Sequence, residues 1–328
     1  MNGPVLVLVE ELDGALTNPS RELLTLARQV TPGTPPAAVW LGDAGDLDLG
    51  GLGAYGAGTV YVPELAGVNR WAPVASAEAL AAVVGAAGAE ALLFASTFAN
   101  KEVAAVLAVL LRTGVVADGT GLSRGADGAL VVEKTVFAST WSTRCAVREG
   151  GPALLGMKSH ATEPQPAGAP TTPTVVSVPV PFTPAASAVT VVERAERRAA
   201  DGRPELSEAR VVVVGGRGVE GDFSPVEELA DVLGGAVGAT RVATDEGWID
   251  HSAQIGQTGV SIAPRLYIGA GVSGAIHHRS GMQAAEVIVA VNTDQDAPIF
   301  EFADLGIVGD LTEVLPQAAA EIRRLRGE

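Results

Sequence analysis

"ARVVVVGGRGVEGDFSPVEELADVLGG", residues 209–235, decides the fold. Four consecutive valines make a strand with no polar face, the kind a parallel sheet buries on both sides. Glycines follow at once, and apolar residues then return at helical spacing as Val226, Leu229, Ala230 and Leu233. Ser224 and Glu227 are spaced as a capping-box pair, Pro225 suits the first helical position, and Gly234 supplies a stop. Strand, glycine turn and helix in that order predict a layered α/β fold.

The amino-terminal half repeats the pattern. "VLVLV" (5–9), "AAVWL" (37–41), "TVYV" (59–62) and "ALLFA" (91–95) read as strands. A helix near Ser20 sets Leu23, Leu26, Ala27 and Val30 on one face, and others are expected near 76–87 and from Lys101 to Arg112. The last carries Val103, Val106, Leu107 and Leu110 on one stripe with apolar residues elsewhere, which predicts deep packing. From 129 to 193 the pattern is β-rich, interrupted by the proline-rich surface loop "ATEPQPAGAPTTP" (161–173). The charged stretch 193–209 is the expected boundary between domains 1–204 and 205–328, and a helix over about 316–326 precedes a solvated tail.

Composition narrows the function. A formal charge of −16 repels a phosphate backbone and argues against nucleic acid. The single cysteine, Cys145, fits a reducing cytoplasm. "MNGPVLVLVEELDG" has no basic leader region and reads as a first strand, not a signal peptide. The apolar run Ala79–Ala89 is short of the roughly 18 residues a membrane span needs, so no membrane insertion is expected.

Gly216, Gly218 and Gly221 spell G-x-G-x-x-G between strand and helix, a dinucleotide fingerprint when an acidic residue follows about 20 positions on. Here Arg241 is nearest that point and Asp245 comes later, in a chain with 40 glycines. A nicotinamide-dependent dehydrogenase therefore remains an alternative, without a convincing proton donor. "AQIGQTGVSIAP" (253–264), "LYIGAGVSGAIHHRSGM" (266–282) and "VIVAVNTD" (287–294) add chain turns rich in small and hydroxyl or amide residues. Together they predict a polar rim at the carboxyl ends of a parallel sheet, where open α/β folds bind ligands.

His277 and His278, read as adjacent residues of an extended segment, point to opposite sides and chelate one metal poorly. No cysteine or acidic cluster completes a ligand set, and no nucleophile accompanies them. His160 and His251 stand in polar loops and read as solvated; Trp248 reads as a core or interface anchor. Asp43, Asp46 and Asp48 lack the glycine and glutamate positions of a calcium loop.

"GGRG", "GATRVATDEGW", "QIGQTG", "LYIGAGVSGAIHHRSGM" and "VIVAVNTDQDAPIFEFADLGIVGDL" resemble, in order and spacing, the carboxyl-terminal domain of electron transfer flavoprotein α subunits. The match is dense over 210–316. It is looser in the first domain, through "VLVLVE" and "FANKEVAAVLAVLLRTGVVAD". The resemblance implies two α/β domains: an N-terminal nucleotide-binding-like scaffold, and a flavodoxin- or Rossmann-like domain holding one FAD. It implies an electron carrier without substrate turnover of its own, paired with a β subunit that closes over the flavin. Flavin dehydrogenases would supply the electrons, and a quinone-linked or other acceptor would take them.

By position, the resemblance sets Arg241 against the isoalloxazine ring, Thr258 and Gln257 near the N5 edge, and His278 at the pyrimidine carbonyl edge. Arg217, Thr240 and Ser273 would lie by the ribityl–pyrophosphate stretch, and Asn292, Asp310 and Leu311 on the adenosine side. Ile255, Gly256, Gly274, Ala275, Ile276 and His277 complete the set. His277 stands where relatives usually have glutamine, and Val260 where many have lysine. A partner subunit without a cofactor is a third reading, opposed by the intact Gln257, Thr258, Ser273 and His278.

Overall fold

The computed structural model describes residues 3–12, 14–137, 141–147, 151–159, 161–193 and 202–327. His160 and much of the charged stretch 193–209 lie outside them. Contacts divide the chain into two compact units, 1–136 with 142–195, and 137–141 with 196–328.

In the first unit, β1 (Val5–Leu8), β2 (Ala37–Val39), β3 (Thr59–Pro63), β4 (Ala91–Ala95) and β5 (Val115–Gly119) enter one sheet. β6 (Gly121–Arg124), β7 (Leu130–Val136) and β8 (Trp141–Cys145) form a separate three-stranded sheet. β9 (Ala153–Met157) and β10 (Thr174–Val178) return to the first sheet, whose order is β10–β3–β2–β1–β4–β9–β5 with parallel pairings. Val5 and Val7 face one core with Leu23, Leu24, Leu26 and Ala27 of α1 (Asn18–Val30). Leu6 and Leu8 face another, with Leu80 and Val83 of α2 (Pro73–Ala87) and Ala104 and Leu107 of α3 (Phe98–Leu111). Burial on both faces explains the unbroken apolar runs. The expected deep packing of α3 is wrong: Val109 is 77% and Leu110 46% exposed, because sheet and α2 cover only one side.

The second unit runs β11 (Val211–Gly215), α4 (Ser224–Leu233), β12 (Ala236–Ala239), α5 (Arg241–Asp245), β13 (Leu266–Ala270), α6 (Ile276–Met282), β14 (Val287–Asn292), β15 (Leu305–Val308) and α7 (Leu311–Arg326). Its sheet is parallel throughout, in the order β12–β11–β13–β14–β15. This is the flavodoxin-like order, in which the winding reverses between the first and third strands and leaves a crevice at their carboxyl ends. Val213 meets Val226, Leu229 and Ala230 of α4 and Leu315 and Ala319 of α7 on one face. Val212, Val214, Tyr267 and Ile288 meet Ile255, Met282 and Ile299 on the other.

Three local expectations need correction. No capping box forms at α4: Phe223 is the cap residue, and the Ser224 amide donates to Asp222 Oδ1 at 2.9 Å. The histidine pair is not extended but lies in the first turn of α6, where His278 and Met282 bury one face. α7 begins at Leu311 instead of near 316, capped by Asp310, with Pro316 inside it.

Candidate functional site

Each strand of the second sheet ends in candidate residues. β11 runs into Gly216 and Arg217, β12 into Thr240 and Arg241, and β13 into the 271–275 loop; β14 ends at Asn292 and β15 leads to Asp310. At the reversal point the loops after β11 and β13 touch through bare backbone. The Gly218 amide donates to the Gly271 carbonyl at 3.1 Å. A Cβ on Gly216 would sit 2.2 Å from that oxygen, and one on Gly218 2.8 Å from Gly271 Cα. Gly274 has φ +83° and would drive a Cβ to 2.5 Å from the Ile299 nitrogen, so only glycine fits. The exposed Ser273, Ala275, Ile276 and His277 follow on this rim.

The 254–260 turn lies alongside. The Ile255 amide donates to Ala239 O at 2.9 Å, and the Gln257 amide to His277 O at 2.8 Å, so this turn bridges the end of β12 and the start of α6. Gln254 is buried beneath it. Its Oε1 is 3.0 Å from the Thr244 hydroxyl, and its Nε2 donates to Thr258 Oγ1 at 3.0 Å. The exposed Thr258 hydroxyl thus accepts from the protein and keeps its own hydrogen for an outside acceptor.

His278 is buried, and both ring nitrogens have protein partners. Nδ1 lies 2.9 Å from the Ile255 carbonyl and Nε2 2.8 Å from the Tyr267 hydroxyl. Burial drives its pKa down to about 4, against a smaller opposing effect of the Ile255 carbonyl. Tyr267 is wholly buried, and desolvation pushes its phenol far up, so it stays protonated. The neutral imidazole anchors the start of α6 beneath the rim, while His277 is exposed.

Arg217 and Arg241 are exposed cations. Arg241 opens α5, where the helix dipole disfavours positive charge, and pairs with Asp245 at 3.1 Å on the surface. Asn292 Nδ2 donates to Val272 O at 2.9 Å and ties β14 to the loop after β13. Asp310 is the cap of α7, its carboxyl held below the usual range by hydrogen bonds from Thr312. The Leu311 side chain is buried in the core. His251 is exposed, and Trp248 packs on the core as an anchor. Asp48 caps a short helix through the Gly51 amide at 2.7 Å. Among the described residues no group of three or more His, Cys, Asp or Glu could hold a metal.

A family model described as the electron transfer flavoprotein FAD-binding domain matches residues 205–283, and one described as the electron transfer flavoprotein domain matches 5–183. The chain is 41% identical to the electron transfer flavoprotein subunit alpha of Mycobacterium leprae, over 98% of this chain and 99% of that one. It is 33% identical to the Bacillus subtilis protein of the same name, over 99% of each. The mitochondrial subunit of Dictyostelium discoideum is 54% identical over 124 residues.

The chain belongs to the electron transfer flavoprotein α-subunit family.

Its second unit carries the FAD-binding domain, and the rim fits that group. Glycine-only contacts at 216, 218 and 271 seat the loops after β11 and β13 directly against each other, and the exposed guanidinium and hydroxyl groups of Arg217, Arg241, Ser273 and Thr258 stand on the rim they form, suited to an anionic pyrophosphate. The comparisons do not favour the nicotinamide reading. Gln254 and Tyr267, which hold Thr258 and His278, were absent from the residues singled out in the sequence. The only signal for either was its place inside a motif-bearing stretch.

Proposed function

We propose that this chain is the FAD-holding half of an αβ electron transfer flavoprotein, carrying electrons from flavin dehydrogenases to a quinone-linked or other acceptor. It has no substrate turnover of its own. The observation that carries this reading is the convergence of five strand ends, two exposed arginines and the free hydrogen of Thr258 on one rim. FAD, when bound, supplies the electron-accepting chemistry, and the protein supplies position and electrostatics.

Arg217, Thr240 and Ser273, with the amides around Gly274, would hold the ribityl–pyrophosphate stretch. Asn292 and the backbone at Asp310 and Leu311 would hold the adenosine side. Arg241 would place positive charge by the ring. Thr258, held by Gln254, would donate toward the N5 edge. His278, neutral and engaged by Tyr267 and Ile255, positions the 255–258 turn and the amides that open α6. The first domain serves as a scaffold against the β subunit, and the single cysteine supports operation in the cytoplasm.

Co-expression with a β subunit, release of bound flavin and reduction by a flavin dehydrogenase test the reading. One FAD per heterodimer, reduced by the dehydrogenase and reoxidised by an acceptor, is expected. A complex that forms without flavin and takes none up rules the reading out.

A further inference from the structure

The chain has 22 lysines and arginines, and only three are lysines: Lys101, Lys134 and Lys158. All three meet at one place in the first unit, far apart in sequence but brought together by α3, β7 and the end of β9. Lys101 Nζ lies 3.1 Å from Asp118 Oδ1, and Lys134 Nζ donates to the Ala117 carbonyl at 2.8 Å. Lys158 is half-buried, and its ammonium has no hydrogen-bond or ion-pair partner among the described residues. Burial holds that ammonium below the usual lysine range; Asp118 opposes the shift, while Lys101 and Lys134 add to it.

Asp118 is a built element of this cluster. It adopts φ +60°, a conformation seldom taken by residues other than glycine. The Ser96 hydroxyl donates to its Oδ1 at 2.9 Å and accepts from its amide at 3.0 Å. Burial pushes its carboxyl up, but hydrogen bonds from Ser96 and Lys101 and the charges of Lys101 and Lys158 outweigh this. Glu133 pairs with Arg144, and Glu10 accepts from the Asn100 side-chain amide; neither is among the charges that act on Asp118 or Lys158.

Lys101 and Lys158 act on the Asp118 carboxylate, and Lys134, held by the neighbouring Ala117 carbonyl, adds a third ammonium that acts on Lys158. Three ammonium groups thus share one carboxylate, an excess of two positive charges in a chain whose total is −16. Repulsion between half-buried like charges disfavours this arrangement unless an anion joins it. The cluster also lies at the carboxyl ends of β4, β9 and β5. It adjoins the point between β1 and β4 where the first sheet's winding reverses, a place where open α/β sheets bind ligands.

We propose that Lys101, Lys134 and Lys158, with Ser96 and Asp118, form a binding site for a phosphate-type dianion, separate from the flavin rim of the second unit. A dianion matches the two uncompensated charges. Mobile point-charge lysines suit a phosphoryl group approached from several sides. The phosphoryl group comes either from free phosphate or from a phosphomonoester.

Because there are only three lysines, 13C-lysine labelling of this chain within the full αβ complex gives three side-chain signals. They are followed by NMR during titration with inorganic phosphate, phenyl phosphate, and sodium chloride at matched ionic strength. The Lys158 and Lys101 signals are expected to shift saturably with phosphate or phenyl phosphate but not with chloride. Equal affinity for the two points to the free ion, and tighter binding of phenyl phosphate to the phosphoryl group of a larger molecule. Lys158→Gln is expected to weaken binding at least tenfold with flavin content unchanged. Shifts that never saturate with either phosphate, or that follow ionic strength alone, overturn the site; the wild-type titration decides this whether or not the variant folds.

Discussion

The Tyr267 hydroxyl donates to Nε2 of His278 across 2.8 Å, a direction fixed by the partner of the other ring nitrogen. A carbonyl oxygen can only accept, so the 2.9 Å contact with Ile255 requires the hydrogen on Nδ1. Nε2 is then the acceptor, and the tyrosine must donate. The line from tyrosine to imidazole to the Ile255 carbonyl runs under the turn that carries Gln257 and Thr258.

Tyr267→Phe leaves the buried Nε2 without a donor. An unsatisfied buried polar group costs about 1–3 kcal/mol, so the urea midpoint is expected to fall. The FAD dissociation constant should rise with it, since the 255–258 turn loses its anchor. Unchanged stability and affinity would show that the hydroxyl has no role.

His278 also makes stability depend on pH. Its folded-state value of about 4 is below the unfolded value of 6.5, so between them only the unfolded chain binds the proton. Its contribution is full above pH 6.5 and is lost as pH falls toward 4, at up to about 1.4 kcal/mol per pH unit. Hydrogen exchange of the β13 amides between pH 6.5 and 5 reads this slope, and His278→Gln is expected to flatten it.

Thr258→Val removes the outward hydroxyl hydrogen and leaves Gln254 Nε2 without its acceptor. If that hydrogen steadies the negative charge a flavin gains on reduction, the first one-electron potential should fall. A tenfold loss of differential stabilisation corresponds to about 59 mV. Potentiometric titration of the complex checks it; an unchanged potential would place Thr258 away from the redox edge.

Arg241→Gln separates folding from function. The residue is exposed, its Asp245 pair is of the surface kind worth about 0–1 kcal/mol, and it opens a helix against the dipole. Thermal stability of the apoprotein should therefore stay within about 0.5 kcal/mol of wild type. The potential should become more negative as positive charge leaves the ring. A large stability loss with no change in potential would make Arg241 structural.

Much of this was legible in the sequence. "VLVLV" and "VVVV" announced strands buried on both faces, and Leu23, Leu26, Ala27 and Val30 marked α1 by period alone. The glycines at 216 and 218 marked a turn, though not that each meets Gly271, 53 or more residues away. The α4 cap was misread because Asp222, two residues earlier, competes for the Ser224 amide. α6 does not show in the sequence because its Ser, Gly and paired His carry little helical signal, and burial of His278 and Met282 holds it in place. α3 was read as deeply packed because periodicity reports apolar surface but not what covers it. The Tyr267–His278 bond joins a strand to a helix 11 residues on, and the Gln254–Thr258 bond depends on how the 254–260 turn closes; no periodicity marks either.

Hydrogen exchange of the intact αβ complex, compared with and without its flavin, shows where the cofactor sits. FAD is expected to slow exchange at the turns after the strand ends, around 216–218, 256–258 and 273–277, with little change in the first unit. Flavin bound at full stoichiometry with those turns unprotected would contradict it, and would place the cofactor outside this rim.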